Sequence, residues 1–191
     1  AMNGLETIET PRLLLRRPTK ADTEAIFGTY ASDPEATRFL CWSRHRSLED
    51  TRRFLDFSDS EWHRWPVGPY LIELRETKKL MGSTGLSFET PACASTGYVL
   101  AKAAWGKGYA TETLRAIVEI AQQVEITRLY ALCHTEHSTS RHVLEKCGFV
   151  CEETLPGHTE FPNLGVVGPC DVVRYARAIA DRTGANGDRA W

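Results

Sequence analysis

The sequence predicts an α+β domain: a mixed central sheet of about seven strands with about four helices, in α/β/α layers. Three observations predict it. Two capped helical patterns precede most of the strands, strand-like segments accumulate from residue 69, and the apolar period turns helical at Gly108.

The elements follow in order. "RLLLRRP" (12–18) is an apolar run ended by proline and reads as the first strand. Thr19 as N-cap, with Asp22 in the capping-box position, opens a helix over "TKADTEAIFGTYAS", with Ile26, Phe27 and Tyr30 on one face. Ser47 and Asp50 repeat the device for "SLEDTRRFLDFSDSEW", where Leu48, Arg52, Leu55 and Trp62 fall at near-helical spacing. "PYLIELRE" (69–76) and "KLMGSTGLSFE" (79–89) predict a hairpin across the "TKK" turn, and "STGYVLAK" (95–102) a further strand. Leu114, Ile117, Val118 and Ala121 make one face of a helix running from Gly108 to about Val124. "TRLYALCH" (127–134) is a buried-type strand. "STSRHVLEKCGF" is a short helix with Val143, Leu144 and Cys147 inward and Gly148 at C′. "FVCEETL" and "PCDVVRYARA" complete the sheet. Residues 5–178 are expected to form one domain and 179–191 a loose tail; Ala1 ahead of Met2 reads as a residue added for expression.

With 191 residues the chain is long enough to bury a full core. A net charge of −2 gives no basic field for nucleic acid or an anionic membrane, and no apolar run approaches a membrane-spanning length. Six scattered cysteines (Cys41, Cys93, Cys133, Cys147, Cys151, Cys170) form no compact framework, and no secretory signal precedes them, which points to reduced thiols and a cytoplasmic protein.

"WGKGYATET" (105–113) sets two glycines at the start of a helix. The first N–H groups of a helix lack internal partners and carry the positive end of the dipole, and glycine lets an anion approach the backbone closely. Lys107 adds a mobile charge, so the turn suits a phosphate or pyrophosphate. It is not a P-loop, and Thr111 stands where a dinucleotide fingerprint has its third glycine. A tight turn with no ligand is the alternative.

"GYVLAKAAWGKGYATETLRAIVEIA", followed by "LYALCHTEHSTSRHVLEKCGF", resembles the core of the GNAT superfamily of acyl-CoA-dependent N-acyltransferases. The opening, "ETPRLLLRRPTKADTEAIFGTYASDPEATRFL", is similar to that of its RimJ/RimL branch. The resemblance runs from about Glu9 to Tyr175 and implies the GNAT fold, a sheet splayed at the cofactor site, and acetyl-CoA as cosubstrate. It implies a pyrophosphate loop, R/Q-x-x-G-x-G/A, on Trp105 to Ala110. Gly108 and Ala110 fill the small-residue places there, and Trp105 the Gln/Arg place. The backbone of Val99, Leu100 and Ala101 would pair with the pantetheine arm. The N–H groups of Gly106, Lys107, Gly108, Tyr109, Ala110 and Thr111 would hold the pyrophosphate.

The family segment C-H-x-E-N-x-x-S reads Cys133-His134-Thr135-Glu136-His137-Ser138-Thr139-Ser140, so His137 replaces the usual Asn at a cofactor contact. Ser140 matches the serine near the thioester sulfur, where it would hydrogen-bond the departing thiolate; helix capping is its other reading. His134, at the end of its strand, is a candidate general base. Glu89 is another, and the carboxylate that precedes the G-Y pair in many relatives is Ser95 here, so the base stays open. Cys133 is expected to pack in the core. Cys133, His134, His137 and His142 lack a second pair of ligands, so no metal is expected.

In such folds the first helices and last strands line the acceptor cleft. Trp42, Trp62, Trp65, Tyr70 and Phe161 populate them here, with core packing as the alternative. Glu49, Asp50, Asp56, Asp59 and Glu61 read either as a lure for a cationic amine or as a solvated helix face. The expected activity is acetyl transfer from acetyl-CoA to a primary amine, the α-amino group of a protein N-terminus by analogy with ribosomal-protein acetylation. A small-molecule amine (antibiotic, amino acid or polyamine) is the alternative acceptor. A non-catalytic acyl-CoA-binding module and a phosphate-binding domain are rivals from other classes. Neither nucleic acid nor membrane is an expected partner, and the protein is expected to be a monomer or a homodimer.

Overall fold

The computed structural model describes residues 4–180; Ala1 and most of the expected tail lie outside the described residues. The strands are β1 (Thr7–Glu9), β2 (Leu13–Arg16), β3 (Pro69–Leu74), β4 (Leu80–Thr90), β5 (Cys93–Leu100), β6 (Arg128–His134), β7 (Val150–Thr159) and β8 (Cys170–Ala178). They form one sheet in the order β1-β2-β3-β4-β5-β6-β8-β7. The pair β5–β6 is parallel and the others are antiparallel. The sequence pattern missed β1, a three-residue polar strand whose register places Ile8 opposite Leu15.

The helices are α1 (Thr23–Ile26), α2 (Leu48–Arg64), α3 (Tyr109–Gln123) and α4 (Ser138–Lys146). The first departs from the single helix expected: a 3-10 turn at Lys20–Asp22 leads into α1, and a π turn at Phe27–Ala31 follows. Gly28, Thr23 and Thr29 are weak helix formers, and Ser32 closes the turn with both its N–H and its hydroxyl on the Phe27 carbonyl. Asp22 does accept the Thr19 N–H at 2.7 Å. At α2, by contrast, the Ser47 side chain makes no cap bond, and Asp50 reaches back to the Arg46 N–H at 2.9 Å. The buried stripe of α2 is Thr51, Leu55, Ser58 and Trp62, spaced 4-3-4, so Arg52 is exposed rather than inward.

Side chains alternate across the sheet and divide the core. On one face Ile26, Tyr30 and Leu55 pack on Leu71, Leu80 and Val99. On the other, Leu114, Ile117 and Ile120 of α3, with Val143 and Leu144 of α4, pack on Leu86, Leu100, Leu129 and Ala131. The two faces communicate at one place. β5 and β6 pair only over Cys93–Ser95 and Arg128–Tyr130, and then continue to Leu100 and His134 without pairing each other. The sheet splays open there.

Candidate active site

A cleft of about 520 Å³ occupies the splay. By strand alternation Tyr98, Ala131 and Cys133 reach it from the α3/α4 face together with Leu114, Ser140 and Leu144. On the α1/α2 face its floor is Ser83, Gly85, Ser87, Ser95 and Gly97. Its walls there come from the 39–42 loop, α2, β6 and Phe161. One passage therefore runs through the sheet.

The glycine turn starts α3, whose Leu114 lines this passage further along the helix. Gly106 and Gly108 hold φ of 73° and 79°, left-handed values that suit glycine. The first bond into α3 runs from the Glu112 N–H to the Gly108 carbonyl, so the N–H groups of Tyr109, Ala110 and Thr111 have no intrahelical partner. Residues 105–108 are exposed. This donor set, at the positive end of a 15-residue helix, fits a pyrophosphate. The sequence reading missed what braces it. Arg12, at the start of β2, donates to the Lys107 carbonyl (2.8 Å) and to Glu112 (2.7 Å), and its guanidinium lies 4.5 Å over the Tyr109 ring. Burial pushes the Glu112 carboxyl up, but hydrogen bonds from Thr10 and Arg12 outweigh it and hold the group below its usual range.

Of Val99, Leu100 and Ala101, only Leu100 turns its backbone into the splay. The Ala101 N–H donates to Met81 of β4, and the Val99 carbonyl points at Gly82, so Tyr98 and Leu100 alternate outward. The Leu100 carbonyl already accepts the Trp105 indole N–H at 2.9 Å, which accounts for tryptophan in that place.

The second constellation gathers at the same splay. Ser140 lines the cleft from α4 within hydrogen-bonding reach of both Tyr98 and Cys133. Burial keeps Tyr98 protonated above the usual phenol range, with the Ser140 hydrogen bond opposing, and pushes the Cys133 thiol up to about 11. A thiol so raised is a packing group, not a nucleophile. His137 lines the cleft, stacked on Phe39 at 4.5 Å, and burial, aided by the charge of His134, lowers it to about 4.

His134 is buried behind the cleft wall, between Phe39 (5.3 Å) and Phe161 (4.9 Å). Its Nδ1 accepts the Glu136 N–H at 3.1 Å, which puts the ring proton of the neutral form on Nε2. Glu89 lies in a neighbouring polar pocket with Arg128, His158 and Arg174, hydrogen-bonded by Tyr130. Neither residue lines the main cleft. Trp62, Trp65 and Tyr70 pack in or against the core, whereas Trp42 and Phe161 line the cleft.

Asn163 also escaped the sequence reading. It accepts the Arg44 N–H and donates to the Thr37 and Trp42 carbonyls, each at 2.9 Å. It pins the β7–β8 connection to the 37–44 loop on the α1/α2 side of the cleft. Among the described residues no group of three metal-ligating side chains gathers, and no helix is long and apolar enough to cross a membrane.

A family model described as Acetyltransferase (GNAT) domain matches residues 12–150. The chain belongs to the GNAT family. It is therefore an acetyl-CoA-dependent N-acetyltransferase. It is 30% identical over 156 residues to the uncharacterized N-acetyltransferase YoaA of Bacillus subtilis, covering 78% of this chain and 85% of YoaA. Among GNAT structures it is similar to RimL, a ribosomal alpha-N-protein acetyltransferase solved with coenzyme A (TM-score 0.79, 22% identity, 91% of this chain and 98% of that one). It is also similar to a spermidine N-acetyltransferase of Vibrio cholerae solved with CoA and spermine (TM-score 0.75, 18% identity, 89% and 97%). Both likenesses concern the GNAT fold.

Proposed function

We propose that this GNAT protein acetylates the α-amino group of a protein N-terminus, as in the RimJ/RimL branch. Acetyl-CoA enters from the α3 side and the amine from the α2 side. The observation that supports this is the through-sheet cleft, which joins Leu114 of α3, the helix that the glycine turn starts, to an aromatic chamber at the one place where β5 and β6 part.

The N–H groups from Gly106 to Thr111 hold the pyrophosphate, and Leu100 takes the pantetheine arm. The amine nitrogen attacks the thioester carbonyl carbon, the carbon–sulfur bond breaks, and the amine proton leaves to water. Ser140, backed by Tyr98, donates a hydrogen bond to the departing thiolate. His134, its Nδ1 already engaged, positions the β6–α4 turn through Glu136. The titratable side chains at the splay near Ser140 offer no good base, since His137 is lowered to about 4 and the Cys133 thiol raised to about 11. Such a site favours amines that are already partly neutral. A reference α-amine titrates near 7.7–8.0 and a lysine near 10.4, so the α-amine is the better substrate at neutral pH.

Incubation with acetyl-CoA and a panel of N-terminal peptides, aminoglycosides, amino acids and polyamines tests the reading by mass spectrometry. A peptide acetylated on its α-amine is the expected product. Acetylation confined to small molecules would move the protein to the alternative acceptor class. Bound acetyl-CoA without any product would favour the non-catalytic module.

A further inference from the structure

Five acidic side chains on α2 look alike in sequence, and the structure separates them. Glu49 pairs with Arg52, Asp50 with Arg53, Asp56 with Lys20 and Asp59 with Arg17. The Glu61 carboxylate has no hydrogen-bond or ion-pair partner among the described residues, and it lines the cleft. Phe54 and Phe57 precede it by seven and four residues, so all three project from one face of α2 into the same chamber. Glu61 is held there by its neighbour. The Trp62 indole donates to the Pro69 carbonyl at 2.7 Å, and Gly68 lets the helix end press on β3, where any Cβ would lie 2.9 Å from the Trp62 ring.

The charge inventory of the chamber is one-sided. Glu61 is its sole carboxylate among the described residues, and no lysine or arginine lines it. An acceptor carboxylate would find no cation there, whereas an acceptor cation would find one unpaired anion. Position settles which cation. Glu61 stands over Gly68, the residue before Pro69, and Pro69, Gly85 and Gly97 pair in a row across β3, β4 and β5. Two strand spacings, roughly 10 Å, separate β3 beneath Glu61 from β5 at the edge of the splay. That is too far to take a proton from the reacting nitrogen directly. The floor between is nearly bare, because Gly85 and Gly97 carry no side chains and Gly97 has open space where a Cβ would stand. Phe54, Phe57 and Trp42 roof it with apolar surface.

We propose that Glu61 is a specificity residue that reads a second cationic group on the acceptor, separated from the reacting amine by an apolar stretch of roughly 10 Å. This rests on the acetyl-transfer reading above. Two sources share that chemistry: a peptide N-terminus with a lysine or arginine beyond an apolar residue, and a long aliphatic diamine.

Calorimetry on the protein–CoA complex tests the proposal without requiring turnover. The probes are the peptide amides Ala-Phe-Lys and Ala-Phe-norleucine, and 1,8-diaminooctane with octylamine. At least one dicationic probe is expected to bind about tenfold or more tightly than its monocationic partner, and Glu61→Gln is expected to abolish that preference while leaving CoA affinity unchanged. Preference for the peptide alone identifies a peptide source, and preference for the diamine alone a small-molecule one. Equal binding within both pairs, or a preference that survives Glu61→Gln, overturns the proposal. Turnover then separates the two readings: a Glu61-dependent preference with no acetylated product would leave the binding role standing and remove the catalytic one.

Discussion

At the scale of single residues, the site depends on hydroxyl groups held by burial. Ser140 matters to the proposed reaction because its neighbours stay protonated: burial raises both the Tyr98 phenol and the Cys133 thiol, so the cluster at the splay is a set of neutral donors facing the place where the proposal puts the departing thiolate. A donor aimed at developing charge strengthens as the charge appears and contributes little to ground-state binding. Ser140→Ala is therefore expected to lower kcat by about tenfold to a hundredfold with little change in acetyl-CoA affinity. Tyr98→Phe, which leaves Ser140 in place but removes its backing, should give a smaller loss of the same kind. Single-turnover rates set beside acetyl-CoA titrations decide it, and a loss confined to affinity would make Ser140 a structural residue alone.

At the scale of elements, the acceptor side is closed by two loops rather than by a helix or strand. Asn163 joins them with three hydrogen bonds of 2.9 Å, and Phe161 beside it packs on His134. Asn163→Ala deletes all three while touching neither the glycine turn nor Ser140. The acceptor KM is expected to rise several-fold, by about 1 kcal/mol of lost positioning, while acetyl-CoA affinity holds. A fall in acetyl-CoA affinity of the same size would mean that the loops serve the whole cleft. The same elements mark where the sequence was legible. Gly106 and Gly108 announce the strand–turn–helix because their conformational need is local, and the α3 and α4 faces follow from their apolar spacing. Arg12 meets Glu112 across 100 residues and Asn163 meets Thr37 across 126, so no local pattern encodes either contact. The α1 region misled because its capping signal was real while its interior was too weak to sustain a regular helix. Glu61 was visible in sequence but indistinguishable from four neighbours, since only packing shows which acids find a cation.

At the scale of the whole molecule, one buried and one half-buried histidine tie the α1/α2 side of the cleft to pH. Burial lowers His137 to about 4, with the charge of His134 adding to the effect. Burial also lowers His45, against the opposing pull of Asp50. His45 bonds Thr51 at 2.8 Å and packs on Trp42 and Phe54, while His137 stacks on Phe39, so both support the 39–45 segment from opposite ends. An unfolded histidine titrates near 6.5, above the folded value of either residue. Between the two values the unfolded chain binds more protons than the folded one, so folding stability falls as the pH falls. Tm is expected to be level above pH 7 and to decline as the pH drops below about 6.5 toward 4. His137→Asn removes one titrating group while keeping a donor and an acceptor at that position. Its Tm profile should be flatter over the same range, by a share that measures the contribution of His137. An unchanged slope would mean that the acid sensitivity belongs to His45 and to the paired carboxylates, and that the stacked imidazole is open enough to water to titrate normally.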